Sequence, residues 1–154
     1  DDKVIDIGCG SGWISYYLQN KGFNVTLADM FNCNQTELPV VLCNDYLSFK
    51  DKEFEVALLV SVLHHSINPK KVLSEARRVA KRVIVLEETY TNLTEKFWLT
   101  FSEWIGEAQL GMLKHYNFYN FYSANKLREM LKTTEQKFTW NALHTFRRGL
   151  YEIK

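Results

Sequence analysis

Val4-Ile5-Asp6-Ile7 is a short apolar run that ends in glycines, the pattern of a buried strand. Residues 11–21 follow with Ile14, Tyr17 and Leu18 on one helical face and Gly22 as the stop. Residues 23–28 predict a second strand that ends at Asp29, and residues 40–43 a third. Residues 54–60 are nearly all apolar, as a strand covered on both faces should be. Asn68-Pro69 then starts a helix, with Asn as cap and Pro in the first turn. Its buried stripe is Val72, Leu73, Ala76, Val79 and Ala80, and residues 82–87 predict a fifth strand. Strands separated by helix-length crossovers imply an α/β fold with a mostly parallel, doubly wound sheet.

The second half changes character. Residues 96–113 have helical period, with Phe97, Phe101, Trp104, Ile105 and Ala108 on one face. A polar-aromatic loop over 115–122 precedes Ser123, which caps a helix carrying Leu127, Met130 and Leu131. Residues 137–146 alternate, Arg147-Arg148-Gly149 reads as a turn, and residues 150–153 return as the second arm of an antiparallel hairpin. No repeat or interdomain linker is visible, so residues 1–154 are read as one domain with an aromatic helical insertion at 96–122.

Composition narrows the class. With 154 residues, 46% apolar and 24% charged, the chain suits one globular domain. A net charge of +1 gives no global field to recruit nucleic acid. The basic groups Arg77, Arg78, Lys81 and Arg82 read as a solvated helix face. Three cysteines without a C-x-x-C pair argue against disulfides and a zinc site, so no metal is expected and a reducing, cytoplasmic setting is the default. No signal peptide opens the sequence, no apolar run is long enough to span a bilayer, and Asn92-Leu93-Thr94 is a chance glycosylation match.

The chemistry concentrates at Asp6-Ile7-Gly8-Cys9-Gly10-Ser11-Gly12, where the first strand meets the first helix. The carboxyl end of such a strand is where open α/β sheets bind ligands. The spacing is G-x-G-x-G rather than G-x-G-x-x-G, and Trp13 stands where the dinucleotide fingerprint needs its last glycine. No Gly-Lys-Ser/Thr follows, and Asp6 would repel a phosphate. Asp29 at the end of the second strand suits ribose hydroxyls, and Asp45 suits an adenine amino group with Tyr46 against the ring. Three acids at three consecutive strand ends describe a site for a cationic nucleoside.

Residues 4–12 resemble the first motif of the Rossmann-like (class I) S-adenosylmethionine-dependent methyltransferases, and residues 54–65, ending Leu63-His64-His65, resemble their fourth-strand motif. Residues 68–87 resemble the helix and strand that follow in the small-molecule subgroup. The resemblance implies S-adenosylmethionine as cofactor, with S-adenosylhomocysteine as product. It places Asp6 at the methionine amino end, and Gly8, Cys9, Gly10 and Gly12 along the methionine portion. It puts Asp29 on ribose, Met30 on adenine, and Asn44, Asp45 and Tyr46 around the adenine amino edge. Val60 and Ser61 would lie under the sulfonium, with Leu63 and His64 near the cofactor's far side. By analogy the final hairpin gives the sheet order 3-2-1-4-5-7-6. The helices that the family places before the first motif are missing from this sequence, and Ala80-Lys81-Arg82 replaces the usual Lys-Pro-Gly-Gly turn.

The expected reaction is in-line methyl transfer to a small-molecule acceptor. The rivals are a non-catalytic cofactor-binding or interaction module without its own lid, and a nicotinamide oxidoreductase. His64, His65 and Tyr90 are the candidate bases, because they follow strand ends that face the site. Tyr17 is expected in the core. The aromatic helix has three readings: packing on the sheet, a substrate lid, or a membrane-facing or homodimer-forming surface. Glu103, Glu107 and Gln109 on it count against the membrane. No nucleic-acid partner is expected, since no Asn/Asp-Pro-Pro-Tyr motif follows the fourth strand.

Overall fold

The computed structural model describes residues 3–44, 46–110, 120–131 and 147–153. Seven strands form one sheet in the order β3-β2-β1-β4-β5-β6, with β7 beside β5. They are β1 (Lys3–Ile7), β2 (Asn24–Asp29), β3 (Val40–Leu42), β4 (Phe54–Val60), β5 (Ala80–Tyr90), β6 (Tyr122–Ser123) and β7 (Arg147–Ile153). All pairings are parallel except β5 with β7. The helices are α1 (Trp13–Asn20), α2 (Pro69–Val79), α3 (Leu93–Leu110) and α4 (Ala124–Leu131).

Alternate residues of the central strands serve two cores. Ile5, Ile7, Ala57, Leu59, Val83 and Val85 face one side, where they meet Leu73, Ala76 and Val79 of α2, Leu127 and Leu131 of α4, and Tyr151. Val4, Val25, Leu27 and Val56 face the other, with Leu18 of α1 packed against them. This two-sided burial explains why the strands read as unbroken apolar runs.

Helix α2 starts as the sequence predicts: the Asn68 side chain accepts from the Lys71 amide at 3.2 Å, and Pro69 occupies the first turn. Its end needs no glycine turn. The Lys52 ammonium donates to the carbonyls of Arg77 (2.6 Å) and Ala80 (2.9 Å), and the chain passes straight into β5. Ala80 therefore belongs to the strand and not to the helix stripe.

Three expectations are corrected. On α1 the buried residue is Ser15, while Ile14 is exposed and Tyr17 is 60% exposed, so Tyr17 is not a core residue. The helix is turned to press its small polar residue onto the end of β1. The fifth strand runs to Tyr90 instead of Glu87, because β6 and β7 extend the ladder there. Arg147, Arg148 and Gly149 are not a hairpin tip but lie within β7, opposite Thr89, Glu88 and Glu87. A side chain at Gly149 would run into the Tyr151 ring, which fills that space two residues on along the same face. Residues 137–146, the other arm of the expected hairpin, lie outside the described residues.

Helix α3 begins earlier than expected. Asn92 caps it by accepting from the Glu95 amide at 2.8 Å, and Glu95 reaches back to the Thr91 amide at 2.6 Å. Ser123 caps α4 as the sequence predicts, accepting from the Lys126 amide at 3.4 Å. Among the described residues no helix is long and apolar enough to cross a membrane.

Leu59, with no exposed surface, tests the packing of the central strand against α2. Leu59→Ala should lose about 2–5 kcal/mol in urea unfolding. Leu42→Ala, on a strand residue 62% exposed, should stay within about 0.5 kcal/mol. Equal losses would mean that the sheet centre is not the core.

Candidate functional site

The carboxyl ends of β1, β2, β4 and β5 meet at one edge of the sheet. After Ile7 the chain turns through Gly8, Gly10 and Gly12, with φ of 76°, 51° and 79°. These left-handed values favour glycine. A Cβ on Gly8 would sit 2.7 Å from Cγ2 of Val62, and one on Gly12 would collide with Oδ1 of Asn34. The turn is thus pressed between the loop after β4 and the loop after β2. Asn34 holds the latter loop: its Oδ1 accepts from the Thr36 amide at 2.9 Å, and its Nδ2 donates to the Leu38 carbonyl at 2.5 Å.

Two carboxylates flank the turn. Asp6 is 2% exposed and accepts from the Ser15 hydroxyl at 2.6 Å. Asp29 is 5% exposed and accepts from the Gly10 amide at 2.9 Å and the Phe31 amide at 3.1 Å. Among the described residues neither pairs with a basic side chain. Burial pushes the Asp6 carboxyl above its ordinary range; Ser15 pulls the other way, and the charge of Asp29 pushes it further up. Burial, then Asp29 and Asp6, push the Cys9 thiol up to about 12, and burial with Asp29 pushes Cys43 up to about 11. Both sulfurs are neutral near pH 7, which makes Cys9 a liner of the turn and not a nucleophile.

The rest of the expected cofactor set falls unevenly. Met30 and Asn44 are exposed after β2 and β3, and Asp45 lies outside the described residues. Tyr46 is exposed on one face while the Arg78 guanidinium covers its ring at 4.7 Å. Arg78 also donates to the carbonyls of Leu47 (2.7 Å) and Phe49 (2.8 Å) and pairs with Glu75. Arg77 donates to the Leu131 carbonyl at 2.8 Å. The sequence reading of both as a solvated face is therefore overturned: they tie α2 to the loop after β3 and to α4.

Beyond β4, Ser61 takes φ of 55°, a strained value for a residue with a side chain, and its hydroxyl donates to Glu88 at 2.9 Å. Glu87 then gathers the loop. It has no exposed surface and accepts from the amides of Val62 (2.7 Å) and Leu63 (2.5 Å) and from Nδ1 of His64 (2.6 Å). Sequence reading passed over Glu87 as strand; a pair of adjacent acids at the end of an apolar strand was the available signal. Val60 and Ser61 are half-buried here, and Leu63 is wholly buried.

The candidate bases separate. His64 is 0% exposed, with its ring stacked at 4.5 Å on Phe121. Burial would push its pKa down, but the hydrogen bond and charge of Glu87 outweigh this and the net direction is up. Enclosed in this way, it holds the loop and does not face a solvent-filled cleft. His65 is half-buried between Glu103 and Glu107 of α3. Tyr90 lies toward β6, where its strand pairs with Ser123, under the Lys96 ammonium at 5.5 Å.

A doubly wound sheet with a glycine turn and two buried acids at its carboxyl edge has the plan of an α/β domain that binds its ligand at the ends of the strands. The profile of the methyltransferase domain family matches residues 1–135, and the chain belongs to that family. A ubiquinone biosynthesis O-methyltransferase of Rickettsia bellii is 28% identical over 148 residues, 87% of this chain and 61% of that protein. A SAM-dependent methyltransferase from Methanosarcina mazei superposes with a TM-score of 0.66 at 21% identity, covering 99% of this chain and 91% of that one. Burkholderia thailandensis 1,6-didemethyltoxoflavin-N1-methyltransferase, solved with S-adenosylhomocysteine, gives 0.67 at 14% identity over 97% and 69%. The chain spans between 40% and 62% of the length of the first curated relatives it matches.

Glu87→Ala should cost more than about 3 kcal/mol, because it strands two buried amides and an imidazole. Glu87→Gln, whose amide oxygen still accepts, should cost clearly less. Urea unfolding of the two variants checks this, and a near-zero cost for Glu87→Ala would remove the carboxylate from its structural role.

Proposed function

We propose that this domain binds S-adenosylmethionine at the glycine turn and transfers its methyl group to a small-molecule acceptor. One observation carries the reading: two buried carboxylates, unpaired by any basic side chain among the described residues, flank a turn whose glycines cannot carry side chains. Such an edge attracts a cation and repels a phosphate. The donor set fits the cofactor, which carries an ammonium, a ribose diol and a sulfonium. The bound S-adenosylhomocysteine of the Burkholderia protein and the enzymatic relatives support the same assignment.

In this reading Asp6 faces the amino end of the cofactor, and the backbone of Gly8, Cys9, Gly10 and Gly12 lines the methionine portion. Asp29 keeps lone pairs for the ribose hydroxyls beyond those given to Gly10 and Phe31. Met30, Asn44, Asp45 and Tyr46 surround adenine. Ser61 and Val60 lie beneath the reacting centre, with Leu63 behind them. When bound, the cofactor supplies an electrophilic methyl group. The protein's own share is orientation and exclusion of water, and orientation alone is worth roughly 7–11 kcal/mol. His65, half-buried between two carboxylates, can take a proton from an acceptor, and Tyr90 stands as a second such group on the β6 side. Helix α3, which overlaps the insertion at 96–122, covers the acceptor side.

Calorimetric titration with S-adenosylhomocysteine tests the reading. One equivalent should bind, and Asp6→Asn or Asp29→Asn should weaken it at least tenfold. NADH should give no heat. An NADH-binding chain that ignores S-adenosylhomocysteine would sink the assignment.

The pH dependence has a definite sign. Asp6 is raised when the site is free, and a bound ammonium favours its ionised form. Affinity should therefore be full near pH 7 and fall as pH drops through the free-state pKa, which burial holds above the ordinary carboxylate range. Asp6→Asn should flatten that part of the profile, measured by calorimetry from pH 7 downward.

A further inference from the structure

The second group of titratable side chains lies behind the loop after β4, apart from the glycine turn. One potential ligand atom from each of His64, His65 and Glu103 lies within 4.8 Å of the other two. The two imidazole centroids are 4.1 Å apart. Nε2 of His65 stands 3.5 Å from Glu103, and its Nδ1 stands 3.6 Å from Glu107.

His64 supplies the decisive detail. A carboxylate only accepts, so Nδ1 carries a proton and donates it to Glu87. Nε2 of the same ring is buried and makes no hydrogen bond among the described residues. A buried polar atom without a partner costs free energy, and native structures seldom keep one without a reason. Glu87–His64 is the carboxylate–imidazole arrangement that orients a metal-binding histidine and leaves its far nitrogen for the ion.

We propose that His64, His65 and Glu103 bind a divalent first-row transition-metal ion, with Nε2 as the His64 ligand and Glu107 holding His65 in place. Two imidazoles and one carboxylate are a borderline donor set, suited to Zn2+ and its neighbours and not to Mg2+ or Ca2+. Three protein ligands leave a coordination position open to water or a bound ligand. A His65 whose free nitrogen lone pair binds the ion cannot also take a proton, so in the methyl-transfer reading the metal-loaded chain leaves that role to Tyr90. The cysteine count gave no sign of this site, because none of its ligands is a thiol.

Zn2+ is titrated calorimetrically into the chelator-treated chain, with S-adenosylhomocysteine binding measured separately on the same samples. The wild type should take up one Zn2+ per chain. Glu103→Gln and His65→Gln should each weaken uptake at least tenfold while S-adenosylhomocysteine binding stays within about twofold, which shows that both variants fold. Uptake below one equivalent, or uptake unchanged by both variants, overturns the metal site. Failure of S-adenosylhomocysteine alone to bind strikes only the methyl-transfer reading.

Discussion

A wholly buried carboxylate, Glu87, organises the loop on which the rest of the site is laid. A carboxylate removed from water costs several kcal/mol unless its lone pairs are met. Here three donors meet them: two consecutive backbone amides of the loop after β4 and the imidazole that follows. Charge-assisted bonds of this kind are about twice as strong as neutral ones. The parallel register places Glu87 one residue past Leu86, the partner of Val60, so the acid stands where β4 ends and its loop begins. Strand pairing and loop position are thereby one constraint.

That constraint reaches the glycine turn by contact. Val62, whose amide Glu87 holds, is the residue a side chain at Gly8 would strike. Gly10, two residues on, donates to Asp29. From the end of β5 to the end of β2, each neighbour thus limits where the next can go, across four strand ends. The strained φ of Ser61 fits this picture, since its amide is tied to the Leu86 carbonyl and its hydroxyl to Glu88, which together hold a conformation that a lone serine avoids.

What could be read from the residues alone was local. The β4 run, the Asn68-Pro69 start, the Ser123 cap and the glycine turn with Asp6 and Asp29 each depend on neighbours within a few positions, so pattern and capping rules reach them. What escaped depends on register between distant segments. Nothing near Arg78 announces that its partners are carbonyls about 30 residues earlier, and nothing near Arg147 announces a ladder position opposite Thr89. Tyr17 was misplaced because the helical period fixes which residues share a face but not which face turns inward. Ser15 settles that choice by meeting Asp6, a buried polar contact that hydrophobic pattern cannot weigh.

The two acids also explain why stability and ligand binding should be coupled in this domain. Burial and then the charge of Asp29 raise the cost of ionising Asp6, and burial with the two carboxylates holds Cys9 as a neutral thiol. Hydrogen bonds from Ser15, Gly10 and Phe31 offset part of that cost but supply no positive charge. A cationic nucleoside would supply it, and so would bind the folded state with a gain that the unfolded chain cannot offer. At a free concentration of a hundred times its dissociation constant such a ligand stabilises the fold by about 2.7 kcal/mol. A phosphate would meet the opposite sign at the same turn, and the arrangement of acids around bare backbone is therefore itself the selection.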